Sequence, residues 1–361
     1  MKICHLTSAH PYNDIRISLK ECYSLVKDDY EVHLVAPNTE VEKFKGIRVY
    51  GKTNPYKGRI KRFAMFTKDI MNKALEIDAD IYHFHDPELI PVGLKLIKYG
   101  KKVIYDVHED VPRAILSKYW IPKFLRKSIS FLFEKYENNS AKRFDYIVGA
   151  TPFITNRFRN INKNTININN YPFLNELSSG TNREIDKEKK VCYIGGITPI
   201  RGIENIIKAS RNIAGDVILA GSNKDNNLKK LMDESDVKYL GEIEREEVNM
   251  LLNESIAGLV LFLPEPNHIN AQPNKMFEYM SAGIPVIASD FSLWKKVIEG
   301  NDCGICVDPL DVNKISEAIQ WVLDNPERAA EMGRNGRKAV VNKFNWETES
   351  KKLINMYETL S

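Results

Sequence analysis

Short apolar segments recur along the whole chain, and a stretch with helical periodicity separates each one from the next. In stretches such as 15–27 and 203–214, apolar residues recur every three or four positions, as they do in amphipathic helices. Strands that are apolar throughout and alternate with helices form parallel sheets with helices on both faces. We therefore predict an α/β fold with doubly wound sheets and right-handed crossovers. The predicted strands are residues 2–7, 31–36, 80–85, 102–108, 146–150, 190–195, 216–221, 258–263, 284–289 and 304–308.

One break in this alternation, in a chain of 361 residues, predicts two domains. Residues 171–189 contain a proline, a Ser-Ser-Gly sequence and a dense run of charges, which is typical of a linker. We predict one Rossmann-like domain over residues 1–170 and a second over residues 190–343, facing each other across a cleft. Residues 344–361 have a helical pattern and are expected to pack back on the first domain. Ligands of open α/β sheets bind beyond the carboxyl ends of the strands, so the residues that follow each strand are the candidates for a site.

The charge is distributed unequally along the chain. Residues 1–170 carry 29 Lys and Arg against 19 Asp and Glu, whereas residues 171–361 carry 23 against 29. In the basic half, the stretches 52–73 and 113–139 interleave Lys and Arg with aromatic residues, which suits an anionic lipid surface. For either stretch alone, a packed helix with a solvated basic face is an equally good interpretation. The acidic second half and the lack of a recognition motif argue against nucleic acid as a partner.

Further features of the composition exclude other classes of protein. The apolar runs are far shorter than the about 20 residues of a membrane-spanning helix. The first ten residues become polar too early for a signal peptide, so we expect a cytoplasmic location with peripheral membrane association. Cys303 and Cys306 have the spacing of a metal-binding pair, but a structural role is favoured because no second pair is present to complete a zinc site.

Two loops in the second half contain residues that suit phosphate. The strand at 190–195 ends in Gly195 and Gly196, which permit close approach of a ligand to the backbone, and Arg201 follows with a guanidinium that can bind phosphate oxygens. A helix is expected to begin at Asn274, and its first turn offers free N–H groups together with the amino group of Lys275.

A carboxylate follows one turn later in the same helix. Glu278 can accept hydrogen bonds from vicinal hydroxyls such as those of a ribose. An ordinary surface pair of Lys275 with Glu278, three residues apart, explains the spacing equally well.

The two motifs YIGGITPIRG at 193–202 and NKMFEYMSAGIPVIASD at 274–290 resemble the family 4 nucleotide-sugar glycosyltransferases, which are retaining enzymes. The similarity extends over nearly the whole chain and includes HFHDPELIPVGL at 83–94, YDVHE at 105–109 and FNWE at 344–347. The resemblance implies the GT-B fold, two Rossmann-like domains across a cleft, and a nucleotide-diphosphate sugar, most often UDP-linked, as the donor substrate. It implies no metal and no other cofactor.

The resemblance also assigns residues to the donor. Arg201 is implied to hold the diphosphate, and we expect Lys275 to replace a second basic residue whose place is taken by Gly196. Glu278 is implied to bind the ribose. Asn270, followed by Ala271, stands where the family has a glutamate that contacts the donor sugar, which leaves the identity of that sugar open.

In the first half, the resemblance places His108 near the reacting sugar carbon. A histidine after a strand is more often a capping or packing residue, and the resemblance reverses that preference here. Asp106, Glu109 and Asp110 are close in sequence and can orient the imidazole or raise its pKa.

Three further residues are expected on the acceptor side. His85 and Asp86 end the preceding strand, and Arg16 lies near a helix start where many relatives carry a phosphate-binding Gly-Gly loop. A metal site formed by His83, His85 and His108 is the less favoured alternative.

These residues predict a retaining glycosyltransferase that acts on a saccharide acceptor, expected to be lipid-linked, in the synthesis of capsule, exopolysaccharide or O-antigen. Arg201 and Lys275 would stabilise the charge on the departing diphosphate. Two alternatives stay open. One is a nucleotide-sugar 2-epimerase on the same architecture, and the other is a non-catalytic nucleotide-sugar-binding partner in a polysaccharide assembly complex, which the departures at Gly196 and Asn270 would permit.

Overall fold

The computed structural model describes residues 1–52, 65–118, 120–174, 177 and 189–360. They form two compact units, an N-terminal unit of Met1–Asn170 with Trp346–Ser361 and a C-terminal unit of Tyr171–Asn345. Each unit is a parallel or mainly parallel sheet with helices, so the fold consists of two Rossmann-like α/β domains. Most of the predicted linker at 171–189, and residues 53–64 of the basic stretch at 52–73, lie outside the described residues. Tyr171 and Leu177, from the predicted linker, are buried in the C-terminal core.

The N-terminal sheet has the strand order β3-β4-β2-β1-β5-β6-β7-β8. All neighbouring pairs are parallel except β3 with β4. Five of these strands confirm the predicted ones, and β3, β4 and β8 were not predicted. The strands are β1 (Lys2–Leu6), β2 (Glu31–Pro37), β3 (Lys43–Phe44), β4 (Ile47–Lys52), β5 (Ile81–Phe84), β6 (Lys102–Val107), β7 (Tyr146–Gly149) and β8 (Thr165–Asn167).

The C-terminal sheet is parallel throughout and has the order β11-β10-β9-β12-β13-β14. The order reverses between β9 and β12, and open α/β sheets bind ligands beyond the carboxyl ends of strands at such a point. Five predicted strands are confirmed, and β11 was not predicted. The strands are β9 (Lys190–Ile194), β10 (Asp216–Ala220), β11 (Lys238–Tyr239), β12 (Ala257–Val260), β13 (Val286–Ser289) and β14 (Gly304–Val307).

Helices connect the strands in both units. The first, α1, has the wider turns of a π-helix, and the Asp14 carboxylate caps it by accepting a hydrogen bond from the Ile17 backbone N–H. Among the described residues, no helix is long and apolar enough to span a bilayer. The helices of the N-terminal unit are α1 (Ile15–Cys22), α2 (Tyr23–Lys27), α3 (Thr67–Ile77), α4 (Ile90–Lys98), α5 (Val111–Ser117), α6 (Lys123–Ala141), α7 (Pro152–Arg159) and α15 (Trp346–Glu358). Those of the C-terminal unit are α8 (Ile203–Ser210), α9 (Asn226–Asp233), α10 (Arg245–Glu254), α11 (Asn274–Ser281), α12 (Ser292–Ile298), α13 (Val312–Asp324) and α14 (Pro326–Asn342).

The last helix, α15, belongs to the N-terminal unit although it follows the whole C-terminal unit in sequence. The indole N–H of Trp346 donates to the Ser24 hydroxyl at 3.0 Å, and the Glu349 carboxylate accepts from the Asn169 backbone N–H at 2.8 Å. Trp346 and Glu349 are both buried, so this helix is an integral layer of the unit.

The two faces of the N-terminal sheet differ in chemistry. Side chains alternate along a strand, so neighbouring residues point to opposite faces. One face is apolar and contributes Cys4, Tyr82 and Phe84 to the core. The other carries His5 and His83, which are directly paired in the register of β1 and β5. This second face leads to the candidate residues that follow the strands.

Candidate functional site

The loop after β9 holds two cations beside a glycine. Gly195 has φ of +133°, and a Cβ atom there would lie 2.5 Å from Lys275 Nζ and 3.4 Å from Arg201 Nη1. At Gly196 a Cβ atom would also lie 3.4 Å from Arg201 Nη1. Glycine therefore lets the amino group and the guanidinium approach the same piece of backbone. The structure brings together the four residues that the two loop motifs supply.

Lys275 is buried, and no acidic side chain of the described residues forms an ion pair with it. Its residue is 8% exposed, and Nζ is one of the buried atoms that have no hydrogen-bond partner within the described part of the chain. The amino group lies 3.8 Å from the centre of the Tyr193 ring and 5.4 Å from that of Phe262. Burial, reinforced by the nearby Arg201, lowers the pKa of Lys275 well below its usual value. An anion bound to this amino group would offset both the cost of burying its charge and its repulsion by Arg201.

Glu278 pairs with a cation that the sequence did not indicate. Arg245 Nη1, at the start of α10, lies 3.2 Å from Glu278 Oε1, and both side chains are partly exposed. The surface pair of Lys275 with Glu278 considered above is wrong, because Lys275 is buried. A lone arginine 33 residues before its partner leaves no periodic signal in the sequence.

The loop after β12 carries the remaining donor-side candidates. The Ala271 carbonyl accepts a hydrogen bond from the indole N–H of the buried Trp294 at 2.7 Å, which fixes the backbone next to Asn270. Asn270 and Ala271 are half-buried, whereas Asn274 is exposed. The Gln272 side-chain oxygen in this loop is buried without a hydrogen-bond partner among the described residues. It is a polar group that the sequence motifs missed.

In the N-terminal unit, Asp106 lies at the centre of a network of charged and imidazole groups. His108 Nε2 is 2.7 Å from Asp106 Oδ2, and His85 Nδ1 is 3.2 Å from the same oxygen. Arg16 donates to both carboxylate oxygens, with Nη2 at 2.8 Å and Nε at 3.0 Å. Although burial raises it, the pKa of Asp106 is held well below its usual range by Arg16 and His108. Asp106 thus orients His108, as one of the adjacent acids was expected to do.

Arg16 and His85 differ from what is expected of acceptor-binding residues. The Arg16 side chain is 5% exposed, and its third contact is to the Ile168 carbonyl oxygen at 3.0 Å. The N–H groups of Arg16 therefore bind groups inside the unit. Its partner carboxylate, Asp106, lies 90 residues later in the sequence. His85 is also buried, and burial lowers its pKa to about 4, so the ring is neutral.

Asp86 organises the loop that follows β1. Its Oδ2 accepts from the Thr7 hydroxyl at 2.8 Å and from the Ser8 backbone N–H at 2.7 Å. Asp110, by contrast, faces away from the network and lies 3.0 Å from Arg157 Nη1. Of the acids near His108 in sequence, Asp106 makes the direct contact.

A second histidine lies beside His108, and the sequence reasoning missed it. The His10 ring centre lies 5.4 Å from that of His108, and His10 Nδ1 lies 3.1 Å from Asp14 Oδ2. The hydrogen bond to Asp14 raises the pKa of His10. His10 is therefore a partly exposed, pH-dependent cation near His108.

Among the described residues, two groups of side chains, all of them buried except the partly exposed His108, have donor atoms close enough to hold a metal ion. One is His85, Asp106 and His108, and the other is His5, Glu21, His83 and His85, with the donor atoms of each group within 4.8 Å of one another. The three histidines of the less favoured metal hypothesis are thus divided between two groups.

Comparisons with known proteins give these sites a context. Residues 21–167 match the family described as Glycosyltransferase Family 4, and residues 176–339 match the family Glycosyl transferases group 1. The capsular polysaccharide biosynthesis glycosyltransferase CapM of Staphylococcus aureus is 24% identical over 196 residues, which are 51% of this chain and 50% of CapM. The chain spans about half the length of CapM and of other curated relatives that it matches.

Solved structures share the fold over the full chain. Sucrose-phosphate synthase from Thermosynechococcus elongatus has a TM-score of 0.81 at 20% identity, over 99% of this chain and 98% of that one. HepE from Anabaena, in complex with UDP-glucose, has a TM-score of 0.76 at 16% identity, over 99% of this chain and 100% of that one. The two halves of the chain therefore match two glycosyltransferase families, and the fold is of the GT-B type.

Proposed function

We propose that the protein transfers a sugar, with retention of configuration, from a nucleotide-diphosphate donor to a saccharide acceptor in the synthesis of a cell-surface polysaccharide. The observation that carries this proposal is the buried amino group of Lys275, which lies beside Arg201 over Gly195 and has no hydrogen-bond partner in the described part of the chain. A diphosphate supplies the missing negative charge. The polysaccharide role is supported by the similarity to CapM.

Arg201 and Lys275 also account for the departure of the diphosphate during the transfer. When the bond from the anomeric carbon to the diphosphate oxygen breaks, the electron pair stays on that oxygen, and Arg201 and Lys275 stabilise the charge from fixed positions. The acceptor hydroxyl forms the new bond to the same carbon and gives its proton to the departing phosphate oxygen. Because the two side chains supply the positive charge that a metal ion provides in other phosphate sites, the transfer needs no metal and no other cofactor.

The nucleotide is held farther along the same helix. Glu278 accepts hydrogen bonds from the ribose hydroxyls with the oxygen that does not face Arg245. We favour a UDP-linked donor because HepE, which shares the fold, binds UDP-glucose. Asn270, Ala271 and Asn274 border the donor sugar, and an amide at position 270 can hydrogen-bond a sugar hydroxyl without adding a charge.

In the N-terminal unit, His108 is the residue that we assign to the transferred sugar. Its Nε2 is bound to Asp106, which leaves Nδ1 to contact a sugar hydroxyl. Asp86 holds the loop at Thr7 and Ser8 on the acceptor side.

The acceptor is lipid-linked, and α6 attaches the protein to the cytoplasmic face of an anionic membrane. In α6 the buried residues are Ser130, Glu137, Ser140 and Ala141, whereas Phe124, Phe131 and Leu132 are 80%, 65% and 63% exposed. Exposing aromatic rings while burying hydroxyls and a carboxylate reverses the usual pattern of a helix on a water-soluble unit. The basic residues interleaved with these rings are Lys123, Arg126, Lys127 and Lys135. Aromatic rings among basic residues suit the interface of an anionic bilayer.

The experiment on the donor site measures nucleotide binding by calorimetry and nucleotide release for a panel of UDP- and GDP-sugars, with bacterial lipid extract as the acceptor. We expect binding of UDP and release of UDP from one UDP-sugar. Binding without release from any donor would favour the non-catalytic partner, and interconversion of free UDP-sugars would favour the epimerase.

The membrane proposal has a separate test, which is co-sedimentation with vesicles of phosphatidylglycerol or of phosphatidylcholine. We expect binding to the anionic vesicles, weakened by salt and lost in the double variant Phe124→Ser with Phe131→Ser. Phe153→Ser, at a ring that is 36% exposed in α7, is the matched control and keeps binding. Equal binding of the double variant and the control would contradict the assignment of α6.

A further inference from the structure

Three histidines and one glutamate meet inside the N-terminal unit, on the polar face of its sheet. His5 comes from β1, His83 and His85 come from β5 and its end, and Glu21 comes from α1. The centre of the His83 ring lies 4.7 Å from that of His5 and 4.7 Å from that of His85. All four residues are almost fully buried, with exposures of 0 to 2%. A buried cluster of three imidazoles and a carboxylate requires a physical explanation, because removing each of these groups from water costs free energy.

The hydrogen bonds within the cluster are incomplete. Both carboxylate oxygens of Glu21 and Nε2 of His83 are buried and lack a hydrogen-bond partner among the residues described. Arg16 Nε lies 3.1 Å from Glu21 Oε1, but its N–H is used by Asp106. Since Arg16 also forms the two-pronged contact with Asp106, the Glu21 carboxylate is the less well compensated of the two acids.

The unpartnered Glu21 carboxylate and His83 Nε2 lie close to each other, and His85 Nδ1, which also contacts Asp106, is equally near the carboxylate. Glu21 Oε2 lies 4.0 Å from His83 Nε2 and 4.0 Å from His85 Nδ1. These distances are too long for hydrogen bonds. A four-coordinate ion with bonds of about 2.0–2.2 Å holds its donors about 3.3–3.6 Å apart, so these atoms need to move together by only about half an ångström to bind one.

We propose that Glu21, His83 and His85, with His5 as the fourth donor, bind a divalent transition-metal ion of the zinc type. Imidazole nitrogen suits zinc and its neighbours in the first transition series, whereas calcium and magnesium prefer oxygen donors. A buried set of four protein donors corresponds to a structural zinc site. This site lies outside the donor-binding residues and is independent of the function proposed above.

A neighbouring tyrosine holds one of the ligands in the required orientation. The Tyr357 hydroxyl, in α15, lies 2.7 Å from His83 Nδ1, which leaves Nε2 of the same ring toward Glu21. A group that hydrogen-bonds the ring nitrogen that does not bind the metal fixes the tautomer and orientation of a ligating histidine. The ion would therefore join β1, β5 and α1 directly, and α15 through Tyr357.

The experiment uses the full chain after chelation and desalting, titrated with Co²⁺ and then with Zn²⁺. We expect one Co²⁺ per chain with the strong visible absorption of a four-coordinate site, displacement of cobalt by zinc, and a higher melting temperature in zinc. Tyr357→Phe removes a hydrogen bond to a metal ligand and should weaken metal binding by about 10- to 100-fold. Glu21→Gln and His83→Gln each remove a ligand and should weaken it by a larger factor.

The matched control is His33→Gln. His33 is paired with Cys4 in the register of β2 and β1, so it lies on the opposite face of the sheet from His5, and it should leave binding unchanged. Folding of each variant is checked by circular dichroism. The wild-type titration decides the matter even if a variant fails to fold, because no cobalt absorption and no zinc-dependent melting would overturn the proposal. Binding that survives both Glu21→Gln and His83→Gln would also overturn it.

Discussion

The two units treat buried positive charge in opposite ways. In the N-terminal unit, Arg16 lies against the carboxylates of Asp106 and Glu21, at 2.8 Å and 3.1 Å. In the C-terminal unit, Lys275 is buried beside a second cation, Arg201, and its amino group lacks a hydrogen-bond partner among the described residues. A cation that is neutralised inside its own unit holds the fold together. One that is left without a counter-charge stores free energy that an anionic ligand can recover.

The largest expected effect tests the compensated cation. Arg16→Met leaves two buried carboxylates without their counter-charge, so the free energy of unfolding should fall by about 3–5 kcal/mol. Urea unfolding measures this loss. Arg48→Met is the control, because Arg48 pairs with Glu31 at 3.1 Å with its side chain 61% exposed, and such surface pairs contribute at most about 1 kcal/mol. Equal losses in the two variants would mean that the buried contacts of Arg16 stabilise the N-terminal unit no more than a surface ion pair does.

The next prediction tests the uncompensated cation. Lys275→Met keeps the length of the side chain and removes its charge, so kcat for nucleotide release should fall by about 10²- to 10³-fold. The melting temperature should stay the same or rise, because a desolvated amine is replaced by an apolar group. Lys208→Met, at a lysine that pairs with Glu204 on the surface, is the matched control. Full turnover with a lower melting temperature would instead make Lys275 a structural residue.

A third prediction concerns the partly exposed pair of the C-terminal unit. Glu278→Gln removes the charge that strengthens hydrogen bonds to the ribose, so KM for the donor should rise by about 10- to 100-fold with a smaller change in kcat. Steady-state kinetics separate the two parameters. Glu254→Gln is the control, because Glu254 likewise pairs with a basic residue, Lys190, and its side chain is 53% exposed. A change in kcat alone would argue against ribose binding.

The smallest effect is expected at the edge of the N-terminal network, where His10 pairs with Asp14. The pKa of His10 is raised by Asp14, and that of Asp14 is lowered to about 2, chiefly by His10 once the opposing effect of burial is overcome. The contribution of His10 to the free energy of unfolding is present below the pKa that His10 has in the unfolded chain. It is lost as pH rises through the higher pKa that His10 has in the folded protein. The aspartate contribution is present above its unfolded pKa and is lost as pH falls toward about 2.

The pair should therefore stabilise the unit by a few tenths to about 1 kcal/mol near pH 5 and by less near pH 8. Melting temperatures of the wild type and of His10→Gln at the two pH values measure it. A gap between them that stays constant with pH would contradict the ion pair.

Sequence patterns predicted the frame of both units because a buried parallel strand must be apolar along its whole length. Segments such as 102–108 and 216–221 stand out for that reason. Of the strands that were missed, β3, β8 and β11 are short and lie at sheet edges, where polar residues are tolerated and no periodic pattern can develop. The fourth, β4, is longer and lies inside the sheet, but it alternates buried and exposed residues instead of being apolar throughout.

The donor-side residues were predicted because they follow predicted strands and lie in the two motifs that resemble the glycosyltransferase family. Arg16 was given a different role because its partner, Asp106, lies far away in sequence and only the register of the sheet brings them together. His10 and Arg245 are single polar residues in loops or at helix starts, and such residues carry no pattern of their own. Charge compensation is a property of three-dimensional neighbours, so the sequence could indicate which residues are charged but not which of them would be neutralised.

The position of α15 has a consequence for the order in which the protein acquires its structure during synthesis. Tyr357 lies 3.3 Å from His5, a separation of 352 residues along the chain. Domains usually fold in turn as the ribosome adds about 5–20 residues each second. Here the first unit to begin emerging is the last to be completed, because its closing helix is translated after all of Tyr171–Asn345. For much of that time the polar face around His5 and His83 lacks the tyrosine that covers it, so nascent chains have a window in which chaperones, proteases or metal ions can reach side chains that the finished protein buries.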